Sequence, residues 1–235
     1  MAAYISEIIG TALLIILGNG VVANVVLNKT KGHGSGWIVI TFGWAMAVFA
    51  GVFTAAAGSG AHLNPAVSVA MAFLGKMEWS LVPGYILSQF VGAMAGQVLV
   101  WLAYRGHYEE TLDSSAIRAT FCTSPAIHNK LNNLMTEIIG TLVLVSGVLF
   151  MASPSSSLGA MDALPVALLV LGIGLSLGGP TGYAINPARD LGPRIIHAIL
   201  PIPHKGNNEW SYSWVPVVGP IIGAFLAAML YSVLT

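Results

Sequence analysis

Charge is scarce in this chain. Nine Lys and Arg and nine Asp and Glu make up 8% of its 235 residues, where a soluble domain carries roughly 25% charged residues. So few charges cannot cover a water-facing surface of this size, which excludes an ordinary soluble domain. The formal net charge is zero, which argues against nucleic acid as a partner and against a polybasic membrane anchor. Cysteine is nearly absent as well. Cys122 stands alone, so neither an intrachain disulfide nor a thiolate metal site can form. Enzymatic patterns are missing too. There is no HExxH, no Gly-rich phosphate loop with Lys, and no Ser/His/Asp set outside the apolar runs. The chain is read as no enzyme, with no metal and no cofactor. No Lys or Arg precedes the first apolar run, Glu7 lies within it, and it is too long for a secretory h-region. It therefore reads as a first span rather than a cleaved leader.

Apolar sequence is abundant: 56% of residues are hydrophobic and the mean hydropathy is +0.80. A helix crosses the hydrocarbon core with about 20 mostly apolar residues. Six stretches fit: Tyr4–Leu27, Trp37–Ala57, Leu81–Tyr104, Leu131–Met151, Met161–Leu177 and Trp214–Leu234. Short polar connections separate them, at Asn28–Gly36, Gly75–Ser80, Arg105–Lys130 and Ala152–Ala160. Continuous apolar runs predict helices, because a membrane barrel alternates polar and apolar residues over about ten-residue segments. Trp37, Trp79, Trp101 and Trp214 lie near span ends and read as interfacial belts.

Two further segments, Asn64–Leu74 and Asn186–Leu200, are too short to span. Each begins with Asn-Pro, a helix-start signal, because Asn can cap and proline suits the first helical position. A glycine-rich approach precedes each, Gly58 to Leu63 and Gly178 to Ile185. They read as half-helices entered by irregular chain.

The chain also repeats. Ser6-Glu7-Ile8-Ile9-Gly10-Thr11 matches Thr136-Glu137-Ile138-Ile139-Gly140-Thr141, and Asn64-Pro65-Ala66 matches Asn186-Pro187-Ala188. Gly92-Ala93 matches Gly223-Ala224. Residues 1–235 read as a single transmembrane domain of two repeats, about 1–107 and 131–235, with a linking loop at about 108–130. Three spans per half is an odd number, so the second half lies inverted. Inverted repeats with broken helices put a functional site near the bilayer midplane.

Backbone at membrane depth survives only where it is buried in protein or lines a wet cavity. The approach loops therefore imply a water-accessible path. Its acceptor ladder would come from the carbonyls of Gly60, Ala61, His62 and Leu63 on one side, and of Gly182, Tyr183, Ala184 and Ile185 on the other. The half-helices would meet N-terminus to N-terminus, each end carrying about half a positive charge. Asn64 and Asn186 would point amide donors into the path.

The segments Ser59-Gly60-Ala61-His62-Leu63-Asn64-Pro65-Ala66-Val67 and Gly182 to Pro193 resemble the aquaporin, or major intrinsic protein, family. The resemblance covers essentially the whole chain and is strongest to bacterial glycerol facilitators. It implies an all-α membrane fold of six transmembrane helices plus two re-entrant half-helices. It implies a passive channel for glycerol and other small uncharged solutes, with water permeation. Exclusion of cations and protons by half-helix ends is an established property of aquaporin-type pores. The resemblance assigns the pore centre to Asn64, Pro65, Ala66, Asn186, Pro187 and Ala188. It assigns the outer selectivity filter to Trp44, Gly174, Tyr183 and Arg189. Glycerol channels of the family usually carry Phe where this chain has Tyr183. Gly174 would remove bulk, while Trp44 and Tyr183 would form an apolar corner opposite a fixed cation, which suits a solute with carbon on one edge and hydroxyls on the other.

Asp190 after Arg189 is the glycerol-type variant. With Glu7 and Glu137 it is implied to brace loops rather than relay protons. His62 is expected to offer its backbone carbonyl and a space-filling ring. The resemblance also implies a homotetramer in a bacterial plasma membrane, with glycerol, water and the lipid bilayer as partners. It implies both termini in the cytoplasm. That arrangement leaves only Lys76 of the nine Lys and Arg on the inner side, whereas charge counting by itself selects the reverse.

Two other readings stay open from the residues. A channel of the same fold could favour water, protonated lactic acid, dihydroxyacetone, hydrogen peroxide or urea. A secondary transporter would share inverted repeats and broken helices, but would need an ion-coupling group such as Glu7 or Glu137.

Overall fold

The computed structural model describes residues 1–151 and 159–235, and among them every regular element is helical. In chain order these are α1 (Ala2–Val26), α2 (Trp37–Ser59), α3 (Pro65–Phe73), α4 (Val82–Ala103), α5 (Arg105–Glu109) and α6 (Ser114–Ala119). They continue with α7 (Lys130–Phe150), α8 (Leu164–Leu177), α9 (Pro187–Ile199) and α10 (Val215–Leu234). A 3-10 turn, Trp79–Leu81, leads into α4, and another, Gly159–Ala163, leads into α8.

The long helices match the expected spans to within about three residues. Five are long and apolar enough to cross a membrane. The sixth expected span, Met161–Leu177, divides into 3-10 turn and helix. The 14 residues of α8 rise about 21 Å at 1.5 Å each, and the preceding turn supplies further length at about 2 Å per residue. Most of the expected connection Ala152–Ala160 lies outside the described residues. The linking loop is more ordered than its polarity suggests. Its short helix α6 starts where the Asp113 carboxylate caps Ser115 N–H at 2.8 Å.

The two halves pack alike. Helix α1 lies against α2 and α4, and α7 lies against α8 and α10. Close approach depends on glycine at matching places. A Cβ on Gly92 would stand 2.3 Å from the Ile8 carbonyl oxygen, and one on Gly223 would stand 2.4 Å from that of Ile138. No side chain fits there, so the third long helix of each half rides directly on the backbone of the first. The halves join through α2 against α8 and through an exchange, in which α3 packs mainly on α10 and α9 on α4. That exchange brings the two half-helices to the middle of the molecule.

Outward faces are apolar. Ile38, Phe42, Phe53, Leu87, Leu99, Leu168 and Leu230 are exposed, as expected of surfaces meeting lipid rather than water. Polar groups lie inside. Glu7, Asn19, Gln89, Gln97, Glu137, Asp190 and Arg194 are completely buried, and buried charge persists only where it is paired or hydrogen-bonded.

Candidate solute pathway

Each half-helix begins on its asparagine. Asn64 and Asn186 hold extended backbone, at φ −155° and −158°, and their side-chain oxygens accept from the first free N–H groups of the helix. Asn64 Oδ1 accepts from Ala66 N at 2.9 Å. Asn186 Oδ1 accepts from Ala188 N at 3.0 Å and Arg189 N at 3.2 Å. Pro65 and Pro187 occupy the first helical position, where no N–H is needed. Capping fixes the orientation of each carboxamide, so its NH2 turns away from its own helix. Asn64 Nδ2 donates to the Ile185 carbonyl at 2.8 Å, and Asn186 Nδ2 donates to the Leu63 carbonyl, also at 2.8 Å. The reciprocal pair locks the two helix starts together. A carboxamide has two N–H donors, so one on each asparagine is left for the adjoining cavity.

The approach loops share one backbone pattern. Gly60, Ala61 and Leu63 have φ of 79°, 52° and 50°, and Gly182, Tyr183 and Ile185 have 79°, 37° and 43°. Left-handed backbone costs a non-glycine residue on the order of 1–2 kcal/mol, so four such residues need support. The buried carboxylates supply it. Glu7 accepts from His62 N at 2.9 Å and Leu63 N at 2.7 Å, and also from Ser59 Oγ and Gln89 Nε2. Glu137 accepts from Ala184 N at 3.0 Å and Ile185 N at 2.8 Å. Each carboxylate thus pins the two residues just ahead of an asparagine. Asp190 acts elsewhere. Its carboxylate accepts from Thr123 of the linking loop and pairs with Arg194.

A cavity of about 210 Å3 lies along these elements. Its lining includes the apolar side chains of Leu14, Val48, Val52, Leu144 and Val170. It also includes approach-loop residues, both asparagines and Arg189. Leu63 and Ile185 line it, but their carbonyls already accept the opposite asparagine. His62 lines it too, with Nδ1 3.0 Å from Ser68 Oγ and its ring against Tyr85. Pro65, Ala66, Pro187 and Ala188 sit behind the surface as buried support.

Trp44, Tyr183 and Arg189 come together at this cavity. The Arg189 guanidinium lies 4.2 Å over the Trp44 ring, a cation–π contact. Among the described residues its side chain makes no hydrogen bond, and Nη1 is buried without a partner. Gly174 does not line the cavity. A Cβ there would stand 2.9 Å from Tyr183 Cζ and 3.1 Å from its hydroxyl oxygen. The tyrosine therefore fills the space a side chain at 174 would take. Its hydroxyl is buried there without a partner, so it does not reach a passing solute. Gly182 also lies off the cavity, with its N–H on the Gly178 carbonyl at 2.8 Å.

Two contributors escaped the sequence reading. Trp37 stands at a span end, yet its Nε1 donates to the Gly174 carbonyl at 2.9 Å and its ring meets Tyr183 edge-on. Gly18 has no motif around it, yet a Cβ there would stand 2.3 Å from Trp44 Cζ3.

Comparison with known proteins agrees with the fold. The family described as "Major intrinsic protein" matches residues 1–231. A protein of Thermotoga maritima named "Probable glycerol uptake facilitator protein" is 59% identical over 232 residues, which is 99% of each chain. The "Glycerol uptake facilitator protein" of Streptococcus pneumoniae is 55% identical over 226 residues, 96% of each. Among solved structures, the aquaglyceroporin from Plasmodium falciparum superposes with a TM-score of 0.87 at 31% identity, over 98% of this chain and 94% of that one.

Proposed function

The chain belongs to the major intrinsic protein family, and from that membership and the cavity we propose how it works as a passive membrane channel for glycerol and other small uncharged solutes. It is a facilitator, not an enzyme. The observation that carries the solute class is the Arg189 guanidinium, buried, free of hydrogen bonds to described residues, and in a cavity otherwise lined largely by apolar side chains. A buried cation needs acceptors. A polyol passing in single file brings hydroxyl oxygens to Arg189 and to the free asparagine N–H groups, and turns its carbon edge to Trp44, Leu14 and Val48.

Asn64 and Asn186 form the pore centre in this reading, and Trp44, Tyr183 and Arg189 the outer filter, with Gly174 setting where Tyr183 sits. The head-to-head half-helix ends repel cations at the midpoint. In this reading the site of action is the plasma membrane of a bacterium, as the bacterial source of the relatives above supports, and the assembly is a homotetramer with one pore in each subunit.

Stopped-flow light scattering on proteoliposomes tests this reading. Glycerol and water gradients should each give channel-mediated fluxes with low activation energy. Accumulation of glycerol against its gradient, driven by protons or sodium, would make the protein a transporter and overturn it.

A further inference from the structure

Arg189 has no side-chain hydrogen bond to a described residue, so something else holds it, and the neighbouring contacts converge on one residue of the linking loop. Thr123 is bound at three atoms. Its N–H and its hydroxyl both donate to Asp190 Oδ2, each at 2.7 Å, and its carbonyl accepts from Arg194 Nη2 at 2.8 Å. Asp190 and Arg194 are themselves paired at 2.8 Å and fully buried. The Thr123 methyl lies on the opposite side, against Gly182, where an added Cβ would be 3.2 Å away. Three residues on, Ala126 N donates to the Pro180 carbonyl at 2.9 Å.

Thr123 is thus wedged between two places. One is Asp190, the residue after Arg189. The other is Gly182, the residue before Tyr183. Both of these neighbours, Arg189 and Tyr183, line the cavity, and each is one residue from a Thr123 contact. Neither has polar anchorage of its own, since the Tyr183 hydroxyl is also without a partner.

We propose that Thr123 is a positioning residue for the outer filter, whose hydroxyl, through Asp190, fixes how far Arg189 stands from Tyr183 and so sets the largest polyol admitted. The proposal rests on the filter reading above. Losing the hydroxyl leaves one Asp190 oxygen with a single donor from the loop, and the Arg189 wall gains freedom. Wider solutes gain more from that freedom than narrow ones.

The test is the ratio of glycerol to erythritol permeability in proteoliposomes for the unaltered chain, Thr123→Val, Thr123→Ala and Thr123→Ser. Both variants without a hydroxyl should lower that ratio at least threefold, and Thr123→Ser should keep it within 1.5-fold of the unaltered chain. A role in folding alone would lower both fluxes together and leave the ratio unmoved, which overturns the proposal. So would failure of both Val and Ala chains to reach the membrane while the Ser chain does. No glycerol flux through the unaltered chain would instead sink the filter reading itself.

Discussion

The guanidinium of Arg189 rests 4.2 Å above the ring of Trp44, and the indole is held in turn by the absence of a side chain at Gly18. A methyl group there would stand 2.3 to 2.6 Å from three carbons of the six-membered ring. An indole cannot yield as a flexible tip can, so the ring must move, and overpacking of this kind costs about 1–3 kcal/mol. The open side of the ring is the cavity. Gly18→Ala should cut glycerol permeability at least tenfold with a smaller loss of water permeability, measured in the same vesicles. Unchanged glycerol flux would show that the indole does not limit passage.

Position 174 offers a second test of the same wall. Its place under Tyr183 means that any side chain there displaces the tyrosine before it meets a solute. Gly174→His should therefore reduce glycerol flux much more than water flux, because the ring moves toward the space that carbon-bearing solutes need. Equal loss of both would count against the filter assignment. The Tyr183→Phe variant removes only a buried hydroxyl without a partner. Flux of glycerol and water should stay within about twofold of the parent, and melting temperature in detergent should hold or rise, since unpaired buried polar groups cost about 1–3 kcal/mol. A large change in solute preference would mean that the hydroxyl turns toward the passage.

The spans and both half-helices were legible because each rests on a local signal: apolar length for the former, Asn-Pro after a glycine-rich run for the latter. The repeat of Glu7 and Glu137 was legible as a pattern, and its resemblance to a family implied that both brace the loops. What the pattern could not give was the cause. The left-handed backbone at Ala61, Leu63, Tyr183 and Ile185 appears only in three dimensions. Gly18 and Trp37 were not legible as parts of the site, because their importance lies in contacts with Trp44 and Gly174 that are 26 and 137 residues away. Thr123 was hidden for the same reason. An ordinary threonine in a polar loop gives no local sign of a partner 67 residues on.

The solitary cysteine gives a probe of the linking loop. Cys122 is 1% exposed, packed among Tyr108, Ile117 and Phe121, and burial pushes its thiol up to about 12. The thiolate is the reactive form, and at pH 8 a thiol of that kind is ionised to roughly one part in ten thousand. A raised value means that the fold favours the neutral thiol. This contribution is complete below the ordinary thiol value of 9.0 and is lost as pH climbs toward 12. Iodoacetamide at pH 8 should label the folded protein at least a hundredfold more slowly than the protein in denaturant. Fast labelling of folded protein would mean that the loop opens and that Thr123 is not held as described.

Glu7 and Glu137 separate a channel from a proton-coupled carrier. Both are fully buried, and both spend their oxygens on loop N–H groups. Replacing Glu7 with Gln turns one acceptor into a donor that faces another donor. At least one loop N–H or the Gln89 amide then loses its partner, at a cost of about 1–3 kcal/mol. Glu137→Gln makes the same conflict with Ala184 or Ile185. Each variant should melt several degrees lower in detergent and insert less well. Per inserted molecule, glycerol flux should fall, and an imposed proton gradient should leave it unchanged in parent and variants alike. A carrier would behave otherwise. Its parent would respond to the gradient and its glutamine variant would lose that response at full stability. Stability and coupling are measured on the same protein, so the two readings cannot be confused.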